Sequence, residues 1–179
     1  FPVLKDKWNT SAGYLSGDVL GWFWPLLITA GGAWIVLGGF RARTKAASNS
    51  DLAQALQREN QPAKSRDAFA KAVALAPDDA DLLAEAAQSR ALADANRLFD
   101  AEAVRLLQRA LSLRPDHQRA RWFLGIAQRQ AGDNAAAAAT WEPLLALVDA
   151  ATATSLRKEI DRARADAGMP PLPAAVAVA

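Results

Sequence analysis

Side chains that carry out chemistry are scarce in this sequence of 179 residues. It contains no cysteine and a single histidine, His117, within "RPDHQ". The lack of cysteine excludes disulfides, thiolate nucleophiles and Cys-ligated metals. A haem or metal bound by His117 would need a second ligand, and no other His or Cys exists, so we predict that His117 is a turn residue. We interpret Met169 in "AGMPP" as an ordinary hydrophobic side chain rather than a haem ligand.

Carboxylates cluster once, at Asp78, Asp79, Asp81 and Glu85. We expect this cluster to place negative charge at the start of a helix, where the helix dipole favours it, and a cation site is the alternative. Nothing resembles a phosphate-binding loop, a nucleophile beside a base, or a carboxylate pair. We therefore predict a protein that is not an enzyme and that holds no cofactor or metal.

Arginines accompanied by amides and one indole form the most promising binding pattern. Guanidinium groups bind carboxylates through paired hydrogen bonds, so such a set could hold an extended or helical peptide, above all a C-terminal carboxylate. A solvated face is the alternative, and the indole could belong to the core instead. The candidate peptide-binding residues are Arg90, Arg121, Trp122, Gln128 and Arg129, with Gln88, Arg97 and Arg119 nearby in the sequence.

Helices must position these residues, because apolar residues recur at spacings of three and four and strand signals are few. The predicted class is all-α. Pro143 lies inside the sixth helix and should bend it. From residue 46 onward 16 basic residues face 17 acidic ones, so nucleic acid is not an expected partner. The predicted helices span about 50–59, 63–75, 80–93, 100–113, 117–131, 134–147 and 151–167.

The helices repeat in pairs. "SRDAFAKAVALAPDD" (65–79) aligns with "AVRLLQRALSLRPDH" (103–117). The segment "WFLGIAQRQAGDNAAAAATWEPLLALVD" (122–149) forms a third unit. Two antiparallel helices need a small residue where they cross and a large one to fill the gap. The residues Leu124, Gly125, Gly132, Ala137 and Trp141 fall at the positions of a tetratricopeptide (TPR) repeat, and Leu52, Ala53, Asn60, Ser65 and Phe69 are their equivalents in the first unit.

A different kind of segment precedes the repeats. "VLGWFWPLLITAGGAWIVLGGF" (19–40) has 22 residues and no charge. A hydrocarbon layer of about 30 Å needs about 20 apolar residues in a helix, so we predict a single transmembrane helix and a lipid bilayer as one partner. Trp22 and Trp24 at one end, and Arg41 and Arg43 at the other, are the predicted anchors at the membrane interface.

Glycines give this predicted transmembrane helix a smooth stripe. Gly31 and Gly38 are seven residues apart, as are Gly32 and Gly39, so each pair shares a helix face on which another helix could pack. Glycine is also simply common in membrane helices. Positive charges follow the segment more closely than they precede it, which would place the repeats in the cytoplasm.

The stretch from residue 60 to 168 resembles the TPR region of bacterial cytochrome c maturation proteins, the accessory subunits of haem ligation. "RLFDAEA" and "RARWFLGIA…AGDNAAA…W" carry this resemblance. It implies a protein anchored in the bacterial inner membrane whose TPR domain, on the periplasmic side, holds an apocytochrome segment for the ligase. The side of the membrane stays open, because charge and resemblance point in opposite directions.

Five segments follow from these patterns. We expect a short TPR solenoid of about three repeats that ends in a capping helix. We expect this solenoid to bind other proteins, and the sequence does not indicate its oligomeric state. A permanent accessory subunit of a respiratory or photosynthetic membrane complex is the alternative function. The segments are 1–18 (extramembrane), 19–40 (transmembrane helix), 41–49 (basic linker), 50–168 (TPR-like domain) and 169–179 (flexible tail rich in Pro and Ala).

Overall fold

The computed structural model describes residues 39–173, and every regular element within them is helical. The all-α prediction is therefore confirmed for this part of the chain. Most of the predicted membrane segment lies outside the described residues, including Trp22, Trp24, Gly31, Gly32 and Gly38. Between residues 39 and 173 no helix is both long enough and apolar enough to cross a membrane.

Helix bounds match the sequence-based estimates closely except at the first and sixth helices. The first is already helical at residue 39, so the expected basic linker 41–49 is helical, with Arg41 and Arg43 exposed. The elements are α1 (39–58), α2 (Pro62–Leu75), α3 (Ala80–Ala93), α4 (Ala101–Leu113), α5 (Gln118–Gln130), α6 (Asn134–Trp141), a 3₁₀-helix (Glu142–Ala146) and α7 (Ala150–Asp166).

A compact unit begins at Lys45 and contains three helical hairpins, α1–α2, α3–α4 and α5–α6, followed by α7. We call them the first, second and third hairpin. The same positions are buried in the second half of each hairpin, in α2, in α4, and in α6 with the 3₁₀-helix that follows it, which gives the fold its repeat-like character. The residues concerned are Ser65, Ala103 and Ala137, then Phe69, Leu107 and Trp141, then Ala72, Ala110 and Leu144.

Two of the interhelix turns use the same backbone device. Asn60 and Gly132 have positive φ angles of 57° and 83°, which reverse the chain directly after α1 and α5. The next amides, at Gln61 and Asp133, each donate to a carbonyl five residues earlier at 2.9 Å. These bonds satisfy carbonyls at the helix end that would otherwise lack a partner.

Five of the helices begin at a side chain that accepts hydrogen bonds from their first amides. Such caps satisfy donors that the helix itself leaves unpaired. In α2 the capping position is held by Gln61, whose side chain makes no such bond. The capping residues are Asp79, Asp100, His117, Asp133 and Asp149.

Pro143 does more than bend the sixth helix, which the sequence predicts over 134–147, because the α-helix ends before the proline. Proline has no N–H to donate, and its ring clashes with the preceding turn of an α-helix. The α-helix ends at Trp141, and the chain continues as the 3₁₀-helix Glu142–Ala146. This change of path brings Leu144 into the core, where it is 3% exposed.

The second hairpin has seven residues between its helices (94–100), four more than the interhelix segments 59–61 and 131–133 of the other two hairpins. This loop is held by Gln130, whose amide accepts from the Phe99 N–H at 3.0 Å and donates to the Arg97 carbonyl at 3.1 Å. The Phe99 ring also packs against Phe123, with centroids 5.6 Å apart. The inserted loop is therefore fastened to α5 by both polar and apolar contacts.

Candidate functional site

An open groove of about 500 Å³ lies between α5 and α7, and we call it the α5–α7 groove. Helix α5 forms one side, and α7 with the end of the 3₁₀-helix forms the other. The lining residues are Gln118, Arg119, Trp122, Leu144, Val148, Thr152, Ser155, Leu156 and Glu159.

Apolar side chains form most of the groove surface. Leu144 and Leu156 are buried members of the core cluster below it, and Val148 and Trp122 pack partly exposed against that cluster. The Trp122 ring stacks on Trp141, with centroids 5.1 Å apart and planes inclined by 27°. Stacked indoles offer a rigid apolar surface at little entropic cost to a bound partner.

Trp141 also holds the backbone of Trp122, the residue on whose ring it stacks. Its Nε1–H donates to the Trp122 carbonyl at 3.0 Å. Because Trp141 is 2% exposed, its N–H needs this partner. The groove wall on α5 is thus held from below by an indole of α6.

The α5 rim of the groove is polar. The Gln118 amide donates to the Leu147 carbonyl at 2.9 Å, which ties α5 to the end of the 3₁₀-helix. Arg119 donates to Glu85 of α3 at 3.0 Å, and Glu85 also accepts from Gln54 of α1 at 3.2 Å. A chain of side chains therefore links α1, α3 and α5.

The α7 rim carries hydroxyl groups and one carboxylate. Thr152 and Ser155 are exposed, and their hydroxyls bond within the start of α7, to Asp149 and to the Ala151 carbonyl. Glu159 accepts from Arg129 of α5 at 3.4 Å. Because the polar groups of this rim already have partners, a ligand gains mainly from covering the apolar surface.

The structure divides the five predicted peptide-binding residues among separate places. Trp122 lines the α5–α7 groove. Arg129 lies farther along α5 and pairs with Glu159 and Asp166, each at 3.4 Å. Arg90 lies at the end of α3, where its guanidinium donates three hydrogen bonds to Asp100. This arginine holds the pKa of Asp100 below its ordinary value.

Arg121 and Gln128 share another face of α5, because they are seven residues apart. Arg121 donates to the Pro115 carbonyl at 2.5 Å and to the Thr140 carbonyl at 3.5 Å, so it joins the third hairpin to the turn before it. The Gln128 amide oxygen is buried without a hydrogen-bond partner. Neither residue lines the groove.

The acidic cluster connects helices. Asp79 caps α3 by accepting from the amides of Asp81 and Leu82, while Asp78 pairs with Arg109 of α4. Asp81 pairs with Arg114 at 2.6 Å, and this guanidinium lowers the pKa of Asp81. Within residues 39–173 no group of three or more acidic or histidine side chains is arranged to hold a metal ion.

His117 begins α5. Its Nδ1 accepts from the Ala120 N–H at 3.3 Å, and its Nε2 lies 3.2 Å from a carboxylate oxygen of Asp81. Burial lowers the pKa of His117, and the positive charge of Arg114 adds to the effect. A neutral ring suits this position, since Nδ1 can accept a hydrogen bond only when it carries no proton.

The sequence pattern does not indicate the α7 side of the groove. It predicts a capping role for α7, and the first turns of α7 hold small polar residues that suggest nothing more. One signal was available: Leu156 and Ile160 follow Val148 at the spacing of a buried stripe, and Thr152 and Ser155 lie at its edge.

Neither a protein-family model nor a curated protein matches this chain. Its class is therefore defined by its own architecture. In the described part it is an all-helical, repeat-like protein with an open apolar groove between its fifth and seventh helices.

Proposed function

We propose that this protein is a membrane-anchored TPR adaptor, which binds a segment of a partner protein in the α5–α7 groove. The observation that carries the proposal is the groove itself: an open, mainly apolar channel whose polar rims already have partners. Such a surface favours a peptide that contributes apolar side chains, either as a helix or as an extended segment. In the TPR interpretation the three hairpins are the repeats and α7 is the capping helix.

The uncharged segment 19–40 supports the anchor. Tethering the groove to a bilayer raises its effective concentration near partners in the same membrane, without any new contact. The proposed mechanism is binding alone, with no catalytic step and no cofactor.

The proposed partner is an apocytochrome segment, held during assembly of c-type cytochromes in a bacterial inner membrane. This part rests on the resemblance of residues 60–168 to the TPR region of cytochrome c maturation proteins. The groove adds one requirement, which is that the bound segment supplies at least one large apolar side chain to contact Trp122 and Leu156.

Two serine variants test the groove with a matched control. Ser155 and Ser112 are both exposed helical serines whose hydroxyls donate to a carbonyl in the preceding turn of their own helix. Ser155 lines the groove, whereas Ser112 lies on α4. We expect Ser155→Arg to weaken binding of C-terminal cytochrome peptides by the full-length chain in detergent at least tenfold, and Ser112→Arg to leave it unchanged.

Fluorescence anisotropy of labelled peptides measures both affinities. If neither the wild type nor the Ser112→Arg control binds any cytochrome peptide, an apocytochrome segment is not the partner. Purification from native membranes in mild detergent separates the alternative function. A stoichiometric set of partners that survives washing would favour a permanent accessory subunit of a membrane complex.

A further inference from the structure

The chain continues after α7 as an extended segment, residues 169–173, with sequence "MPPLP". We call it the C-terminal strap. The proline and alanine content of residues 169–179 predicts a flexible tail. The strap instead lies against α7, and its contacts follow a regular pattern.

Three side chains of α7 bind the backbone of the strap. Arg164 donates to the Pro170 carbonyl at 2.7 Å, and Asp161 accepts from the Leu172 N–H at 2.8 Å. Arg157 donates to the Pro173 carbonyl. These three residues share one face of the helix because they are three and four positions apart, so the strap runs antiparallel to α7.

The polar contacts match the chemistry of a proline-rich strand. Proline has no N–H, so Leu172 carries the only amide donor between residues 170 and 173, and Asp161 accepts from it. Proline also holds the chain extended before binding, which lowers the entropic cost of docking. The Leu172 side chain is half-buried against the core cluster that contains Ile160 and Trp141.

We propose that this face of α7 is a recognition site for extended Pro-Leu-Pro segments, which the chain's own strap occupies. It takes a proline-rich segment of a partner protein, which displaces the strap. The site contacts two backbone carbonyls and one amide, and these groups are present in any such segment, while the packing of Leu172 against the core cluster gives specificity. The site lies on a different face of α7 from the groove residues Ser155 and Glu159. Its occupation by a proline-rich segment does not depend on the function proposed above.

A tethered strap competes strongly with a free peptide, because a short linker gives an effective concentration in the millimolar range. A test must therefore vacate the site. We would use the full-length chain in detergent with Leu172→Asp, and the dye-labelled peptide GMPPLPAA as probe. A chain that ends at residue 168 provides a second way to vacate the site if Leu172→Asp disturbs the fold.

We expect the probe to bind either vacated chain at least tenfold more tightly than the wild type. A probe with aspartate in place of leucine should not bind, and Asp161→Ala should abolish binding to the vacated chain. Leu98→Asp, which changes an exposed leucine elsewhere, should behave as the wild type. Equal binding to wild-type and vacated chains, or no binding to either vacated chain, would overturn the proposal.

The groove and the strap site can be tested in the same preparation. Ser155→Arg should leave binding of the strap peptide unchanged, because it obstructs the other face of α7. Loss of strap-peptide binding in Ser155→Arg would show that both ligands bind in the groove. This result would also overturn the proposal of a separate site on α7.

Discussion

The first and third hairpins solve the same packing problem with different residues. At the point where the two helices cross, the first hairpin places Ala53 in the same core cluster as Phe69. The third hairpin has Gly125 and Trp141 at the equivalent positions. A Cβ atom on Gly125 would lie 2.1 Å from Trp141 Nε1. The larger ring is thus accommodated by removing one carbon from the opposite helix.

This difference explains why the third hairpin, and not the first, supports the α5–α7 groove. Phe69 is fully buried in an apolar cluster that also contains Leu82 and Ala86 of α3, and its ring has no polar atom with which to hold the backbone of the opposite helix. Trp141 reaches across to the backbone of Trp122 and stacks beneath its ring. The hairpin with the largest aromatic residue is the one that supports the α5–α7 groove.

The largest expected effect comes from adding a Cβ atom at residue 125. Gly125→Ala should lower the free energy of unfolding by about 2–3 kcal/mol, because a buried indole cannot move away without disturbing the core. The reverse change in the first hairpin, Ala53→Gly, should cost only about 1 kcal/mol. Urea unfolding followed by circular dichroism measures both, and equal losses would show that the two crossings are not packed differently.

Converting the third hairpin to the residues of the first sharpens the comparison. Trp141→Phe alone loses volume and the hydrogen bond to Trp122. The double variant Gly125→Ala/Trp141→Phe should be more stable than the sum of the single losses implies, by about 1 kcal/mol or more. A double-mutant cycle in urea reports this coupling, and simple additivity would contradict the contact between the two residues.

The start of the second helix also distinguishes the two hairpins. Asp133 caps α6 by accepting from the Ala136 N–H at 3.0 Å, and Gln61 occupies the equivalent position before α2 without a cap. Asp133→Ala should therefore cost about 1 kcal/mol, and Gln61→Asp should add about 0.5 kcal/mol. Thermal unfolding measures both changes. Destabilisation by Gln61→Asp would indicate that the backbone there cannot form the capping bond.

The smallest expected effect concerns pH. The folded protein lowers the pKa of His117 below 6.5, so the unfolded chain binds a proton first as the pH falls. Stability should therefore decrease as the pH falls through 6.5, until His117 also protonates in the fold. His117→Asn keeps a capping side chain and should flatten this dependence as the pH falls below 6.5. An unchanged pH profile in His117→Asn would show that another titrating group causes the loss of stability.

Local chemistry explains which parts of the molecule could be predicted. Helix bounds follow from apolar periodicity and capping residues, and the small and large partners Gly125 and Trp141 follow from the repeat pattern. A disturbance of the sixth helix at Pro143 also follows from the missing N–H, although the sequence predicts a bend within 134–147 and the α-helix instead ends at Trp141. Each of these depends on residues close together in the sequence or on one repeating pair.

The groove and the partners of the arginines depend on long-range packing. Nothing near Arg90 in the sequence indicates whether it meets a ligand or Asp100 of its own chain. Ser155 looks like any exposed helical serine until α7 is placed beside α5. The strap was missed for the same reason, since three prolines indicate an extended chain but not the helix against which it lies.

The central claim is that a partner segment binds between α5 and α7, and hydrogen exchange on the full-length chain tests it most directly. With a saturating cytochrome peptide, we predict at least tenfold slower exchange for amides at the start of α7 and along α5, and unchanged exchange in α4. Slower exchange confined to the second hairpin, with α5 and α7 unaffected by a bound peptide, would contradict the account.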